Sequence, residues 1–506
     1  MPPRSEPNPL GKLLIGGLVV WLGWGMGRML DALADPVTAI ASGFLMFMGA
    51  MFMLMGVFDL LLLIGLYIAR RRAEKPTGIY GTASFATLKD CANAGLTDPA
   101  GIFLGMQDGV PLFYSGKSHG ILVAPARAGK GISFVVPNLL HYQGSMLVTD
   151  PKGELAAITG KHRAQTFGHK VIYLNPWGLH GLPQSRYNPL AVLIELLNDP
   201  ARRSELGDAA RAIAGQLIPE PEGGDKNQYF RDGARNILIG LLLHMATRGD
   251  ADRCTLPELW RILKDSLLFE DTVGSMCESG ALGGTVAAYG EELRYLATNA
   301  DRQFADFRTG ASNALQVFQP GGPLADAVSG ADMSFADLKD RRTTVYLMIP
   351  AEKIAHYGPW VALIVRQAID AVSASHKRGN VLFLLDEFAN MGKLSGLAEN
   401  LTLLAGHGVR IWTVVQDLLQ LQKVYGRETM KIILSQSEVM QFFAVRDQEL
   451  ARQISSLLGD VSIMTRNYNL GRSVFDEIGE SLSERGIPLM SPQEIRGLAE
   501  DKQLIF

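Results

Sequence analysis

The chain opens on two long apolar stretches and then changes to short apolar runs separated by polar turns. Residues 13–27 form an apolar run bracketed by Lys12 and Arg28. With those two side chains snorkelling toward the interfaces, residues 10–33 are long enough to cross a bilayer. A second apolar block, residues 37–69, exceeds the roughly 20 residues a span needs and stops at Arg70, Arg71 and Arg72. Arginines collected at that end mark it as cytoplasmic. The pattern predicts a membrane anchor over residues 1–75 with transmembrane helices at about 10–33 and 45–69. A short outer turn at 31–36 would leave both the N-terminus and the long C-terminal body inside. A cleaved signal peptide is the competing reading, but no small-x-small exit follows the first run. Gly23 and Gly27 are spaced for close helix approach. Asp59, inside the second block, calls for a partner, and Arg28 is the candidate.

Beyond residue 76 the pattern turns to strands. Apolar runs over residues 120–123, 145–149, 170–174, 343–349, 381–385, 409–415 and 440–445 are 4 to 7 residues long and end in polar residues. Near-continuous apolar runs of that length, interleaved with helical segments, predict a mainly parallel sheet covered on both faces. From 191 to 320 the strand pattern gives way to Ala- and Leu-rich helical periodicity, which predicts an inserted all-α domain. The fold class is therefore α/β, with residues 76–190 and 321–506 making one interrupted domain.

Candidate chemistry gathers at the ends of these strands. After the run at 120–123 come Ala124, Pro125, Ala126, Arg127, Ala128, Gly129, Lys130, Gly131 and Ile132, close to the phosphate-binding pattern G-x-x-x-x-G-K-[ST]. Backbone N–H groups of such a loop and the positive end of the following helix point at phosphate oxygens, and Lys130 adds a point charge. Ala124 stands where the pattern has Gly, and Gly131 where it has the Mg²⁺-ligating hydroxyl. Ser133 cannot replace that hydroxyl, because two helical positions turn a side chain by roughly 200°. The loop alone is compatible with a glycine-rich strand-to-helix turn. The run at 381–385 ends in Asp386 and Glu387, the pair such a site needs: one carboxylate for Mg²⁺ and one as general base. Asp150 and Lys152, after the next strand, and Gln416, after the strand at 409–415, are further strand-end candidates.

Composition adds bounds. In 506 residues, 48 Lys and Arg against 51 Asp and Glu leave a net charge of −3, so any nucleic-acid contact has to be local. Residues 161–163, 202–203, 341–342 and 376–378 are small basic clusters that serve equally well as solvated surface. Three scattered cysteines, Cys91, Cys254 and Cys277, without C-x-x-C spacing, indicate reduced thiols rather than a disulfide frame or a zinc site.

Taken in order, APARAGKG at 124–131, VTDPKGE at 148–154, RYNPL at 186–190, YFRDGARNIL at 229–238, VYLMIPAEK at 345–353, LLDEFANMGKL at 384–394, TVVQDLLQL at 413–421 and IPLMSPQEI at 487–495 resemble the TraG/TrwB-type coupling proteins of type IV secretion, relatives of the FtsK and HerA motors. The resemblance covers nearly the whole chain. It implies a RecA-like P-loop NTPase, a homo-hexameric ring in the bacterial inner membrane with ATP bound between subunits, and ATP with Mg²⁺ as cofactors. It also implies single-stranded DNA with its relaxase as substrate, and the secretion channel and its ATPase subunits as partners. Carried over, Lys130 is the phosphate lysine, Asp386 the metal acid, Glu387 the catalytic acid and Gln416 the γ-phosphate sensor. An arginine acting across the ring is expected too; the helix at 397–405 has none in its last turn, which leaves Arg410 as the nearest candidate and Arg446 as the second. Two other readings remain open: a coupling ATPase that recruits protein effectors without DNA, and a membrane scaffold that binds ATP without turning it over.

Overall fold

The computed structural model describes residues 9–30, 36–73, 75–221, 227–469 and 479–506. Among these residues are twelve strands: β1 (Ile102–Gln107), β2 (Val110–Tyr114), β3 (His119–Val123), β4 (Ser145–Pro151), β5 (Lys170–Leu174), β6 (Thr343–Ile349), β7 (Val381–Leu385), β8 (Val409–Val415), β9 (Ser437–Phe443), β10 (Asp460–Asn469), β11 (Gly479–Pro488) and β12 (Gln503–Ile505). Eight form one sheet in the order β12-β9-β3-β8-β7-β4-β6-β5. All neighbours are parallel except β12, which runs antiparallel to β9. The expected mainly parallel sheet is thus present. Its central strands β3, β6, β7 and β8 are buried along their whole length, which accounts for apolar runs without alternation: helices cover both faces.

Between β5 and β6 the described chain is helical, from Ala191–Asn198 through Gln228–Thr247 to Asp301–Ala314. The helices pack closely where glycines permit it. A Cβ on Gly233 would lie 2.5 Å from the Phe307 ring, and one on Gly290 2.8 Å from Cys277 N.

Compactness divides the chain differently from the sequence pattern. Residues 86–452 and 492–506 form one unit, and residues 1–85 join 453–491 in another, so 453–491 do not belong with the sheet. The reason is a long antiparallel hairpin, β10 with β11, running in register from Asp460↔Pro488 to Asn469↔Gly479. It takes up residues 77–83. Glu484 accepts hydrogen bonds from Thr77 Oγ1 and Gly78 N at 2.7 and 2.9 Å, and Ala83 N donates to Asp460 O at 3.0 Å. Gly81 makes this fit, since a Cβ there would sit 2.2 Å from Asp460 O.

In the same unit, helices Pro9–Leu30 and Pro36–Ala73 pack against each other. Within the second, residues Gly43–Ala69 are long and apolar enough to cross a membrane; the apolar part of the first, Lys12–Gly25, is shorter. The outer turn expected at 31–36 falls largely outside the described residues. Among the described residues the closest approach is at Gly16 and Gly49, where a Cβ on Gly16 would be 2.7 Å from Met53 N and one on Gly49 2.8 Å from Val20 N; Gly23 also faces the second helix, a Cβ there lying 3.3 Å from Met46 N. Asp59 pairs with Lys12 instead of Arg28, because antiparallel packing brings the start of the first helix beside the later turns of the second.

Candidate active site

Strand order positions the site. β8 lies between β3 and β7, so the carboxyl ends of three adjacent parallel strands deliver the loop 124–131, Gln416 and Asp386–Glu387 to one edge of the sheet. Such edges are where open α/β sheets bind ligands.

The loop is tied down at its start, where buried Ala124 donates its N–H to Val415 O at 2.9 Å. Arg127 and Gly129 both take positive φ, 65° and 79°, the alternation that turns successive N–H groups into a concave anion nest. Ala128 N donates to Pro125 O at 3.2 Å, and Ser133 N to Gly129 O at 2.9 Å. The helix then begins as a wide turn, Gly131–Val135, and continues as Val136–His141. Ile132 is exposed. Ser133 Oγ donates back to Gly129 O at 2.8 Å, so that hydroxyl is already engaged, while at Gly131 a Cβ would meet nothing within 4 Å. The missing hydroxyl reflects the side chain chosen and not a lack of room.

Lys130 Nζ lies 2.9 Å from Asp386 Oδ1 and 2.6 Å from Glu387 Oε1, with each of the three side chains only 15–16% exposed. Gln416 Nε2 reaches Glu387 Oε1 and Oε2 at 2.9 and 2.8 Å. Burial disfavours the charge on Lys130, but the two carboxylates outweigh it and hold its pKa above the usual lysine value. Burial pushes the Asp386 carboxyl up, against the pull of Lys130. Thr149 Oγ1 donates to Asp386 O at 2.8 Å, fixing the turn in which Glu387 adopts a left-handed φ of 55°. A non-glycine residue in that region costs of order 1 kcal/mol and concentrates at functional sites. No group of three or more His, Cys, Asp or Glu side chains among the described residues forms a metal cage. Mg²⁺ suits a site like this one nonetheless, because it takes one or two carboxylates and fills its shell with phosphate oxygens and water.

Other expectations need correction. Arg410 is the second residue of β8, in register with Leu382 at the start of β7, and so lies at the opposite edge of the sheet from Gln416. It is only 7% exposed and its charge acts on buried Tyr142 and on Tyr114. A side chain enclosed there cannot enter a neighbouring subunit. Arg446, just beyond the carboxyl end of β9, is exposed. Asp150 is fully buried and accepts from Leu155 N and Ala156 N at 3.3 and 2.8 Å. It caps the helix Glu154–Phe167, and burial raises its carboxyl to about 6. Lys152 is exposed at the strand-end edge, with φ at 99°.

The basic clusters are mostly spent. Arg163 is fully buried, its guanidinium donating to Leu139 O, Tyr142 O, Gly144 O and Thr344 Oγ1, which ties off the carboxyl end of the phosphate-loop helix. Arg202 pairs with Glu205, Arg341 with Asp337 and Lys377 with Asp340. Sequence reasoning passed over Thr149 and also Asn390, whose Nδ2 donates to Glu387 Oε2 at 2.9 Å. The available signal was an amide three residues after a strand-end acid.

Fold and site together define a mainly parallel α/β protein that gathers a phosphate-loop-like turn, a lysine and an acidic pair at one strand-end edge of its sheet. Residues 85–506 match the model of the family described as type IV secretory system conjugative DNA transfer, and the chain belongs to that family. It is 28% identical over 412 residues to the protein VirD4 of Agrobacterium fabrum, covering 77% of this chain and 57% of that one. With the conjugal transfer protein TraG of Escherichia coli it shares 26% over 466 residues, covering 82% and 70%. The chain therefore spans little more than half of that VirD4. Among solved structures, the bacterial conjugative coupling protein TrwB superposes with a TM-score of 0.61 at 16% identity, covering 84% of this chain and 89% of that one. The plasmid coupling protein TrwB has also been solved with ADP and Mg²⁺; that structure gives a TM-score of 0.59 at 15% identity, covering 84% and 89%. These two likenesses bear on the fold.

Proposed function

We propose that this chain is an inner-membrane coupling ATPase that takes a conjugative DNA substrate and uses ATP hydrolysis to drive single-stranded DNA toward a type IV secretion channel. The observation that carries it is the convergence of Lys130, Asp386, Glu387 and Gln416 within hydrogen-bond reach at the ends of β3, β7 and β8. The two N-terminal helices serve as a two-span anchor with the body in the cytoplasm, and the working unit is a homo-hexameric ring with its relaxase and channel subunits as partners.

In this reading the nest over residues 124–131 cradles the phosphates, and Lys130 neutralises charge developing on the transferred phosphoryl group. Glu387 takes a proton from the attacking water, and Gln416 links the presence of the γ-phosphate to the loop after β8. Asp386 would hold Mg²⁺, and the ion would supply screening of phosphate charge. Arg446, exposed at the strand-end edge, replaces Arg410 as the arginine offered to a neighbouring subunit.

The test is steady-state ATP hydrolysis by the full chain in nanodiscs, with and without single-stranded DNA. Hydrolysis that rises with DNA is expected. Lys130→Ala should abolish it with loss of nucleotide binding, and Glu387→Gln should lower kcat about 10³-fold while ATP still binds. Hydrolysis indifferent to DNA at every salt concentration would favour protein-effector recruitment, since DNA binding through phosphates is salt-dependent. Binding without turnover would leave a scaffold.

A further inference from the structure

We infer that Asn390 is the residue that positions Glu387 for catalysis, an inference that rests on the ATPase reading above. Glu387 has three side-chain donors around its carboxylate: Lys130 Nζ at 2.6 Å and Gln416 Nε2 at 2.8 to 2.9 Å, together with Asn390 Nδ2 at 2.9 Å. They are not equivalent. Lys130 and Gln416 are the groups that a γ-phosphate competes for, and a dianionic phosphoryl group with three terminal oxygens displaces a single carboxylate from a buried cation and an amide donor. Asn390 has no such alternative. When nucleotide draws the other two donors away, the amide is what still fixes the direction of the Glu387 carboxylate, on its Oε2 side, while Oε1 becomes free to accept a proton from water.

The backbone around Asn390 is built to hold it there. Asn390 N donates to Glu387 O at 2.8 Å, closing the short turn Phe388–Asn390. Within that turn Phe388 is fully buried and stacks on Tyr425 with centroids 5.3 Å apart and planes 11° from parallel. Tyr425 is itself buried, and its hydroxyl accepts from Leu394 N at 3.2 Å. The left-handed backbone of Glu387 sets its side chain back toward Asn390. A base held by one amide on a rigid turn is pre-organised without being neutralised, which is the property a general base needs. The amide identity matters: an Asp at 390 would set two carboxylates against each other, and an Ala would leave the base free to rotate.

The experiment compares wild type, Asn390→Ala, Asn390→Asp and Glu387→Gln, all as full-length protein in nanodiscs. ATP dissociation constants, kcat and KM are measured for each, and a melting-temperature cycle tests Asn390→Asp both alone and combined with Glu387→Gln. Asn390→Ala should lower kcat about 10²-fold while the ATP dissociation constant stays within about 2-fold. Asn390→Asp should lower the melting temperature when Glu387 is intact and not when Glu387→Gln is also present, because the substituted amide can donate to the new carboxylate. Wild-type kcat in Asn390→Ala overturns the positioning role alone. Parallel loss of binding, kcat and melting temperature in Asn390→Ala overturns it in favour of a structural role. Absence of hydrolysis in the wild type overturns the ATPase reading and the positioning role with it, whatever the melting cycle gives.

Discussion

At the scale of single residues, the groups of the candidate site differ from the buried structural ones in exposure and in the company each keeps. Lys130, Asp386 and Glu387 are partly exposed and hold one another. Arg163 and Asp150 are fully buried and satisfied mainly by backbone groups. His244 is neither. It is buried in the helical segment with Nε2 lacking a partner among the described residues, and burial, followed by the charge of Arg248, lowers its pKa from 6.5 to about 4. The unfolded chain therefore takes up a proton at this position below pH 6.5 while the folded one stays neutral until about pH 4. Stability present above pH 6.5 is lost as the pH falls through that window, by on the order of 2 kcal/mol. His244→Leu should reduce this loss, measured as the difference in urea midpoint between pH 7 and pH 5.

At the scale of elements, the pairing of the two N-terminal helices depends on close backbone approach. Gly16 and Gly49 lie at the crossing, and Lys12 with Asp59 adds an interhelical ion pair near one end. Small residues at a crossing matter in lipid, where packing rather than water drives association. Gly49→Leu should destabilise the pair by roughly 1–3 kcal/mol. Gly43→Leu, at a position where an added Cβ meets nothing within 4 Å, should leave it unchanged. Thermal aggregation of the two variants in the same detergent distinguishes them. Of the glycines the sequence singled out, Gly23 does face the partner helix, but the closest approach lies two turns away at Gly16 and opposite it at Gly49. The crossing point depends on how two helices dock, and neither helix carries that information alone.

For the whole molecule, the decisive expectation concerns assembly. If the site is completed across a subunit interface, Arg446→Ala should lower turnover about 10²-fold or more with ATP affinity retained. Mixing Arg446→Ala chains with Glu387→Gln chains should then recover part of the activity, because some interfaces combine an intact Glu387 with an intact Arg446. Mixtures no more active than either variant alone would assign Arg446 to its own subunit's surface.

Much of this molecule was legible in its residues because the features concerned are local or sequential. Apolar runs of strand length identified the central sheet strands, and the loop 124–131 with its lysine identified the strand-end turn at which the candidate site gathers. Asp386 and Glu387 at the end of one such run identified the acidic pair. Gln416 was placed correctly at a strand end, although only the insertion of β8 between β3 and β7 explains why it meets Glu387. Arg410 shows the limit. Its place in the sequence is six residues from Gln416, but a strand carries those six residues across the width of the sheet, from one edge to the other. Asn390 and the seating of residues 77–83 on the β10–β11 hairpin were decided by tertiary structure: one by a left-handed turn that brings an amide back onto Glu387, the other by a hydrogen bond between residues 406 positions apart. Periodicity determines which residues share a face; strand order and turn geometry determine which faces and strand ends meet.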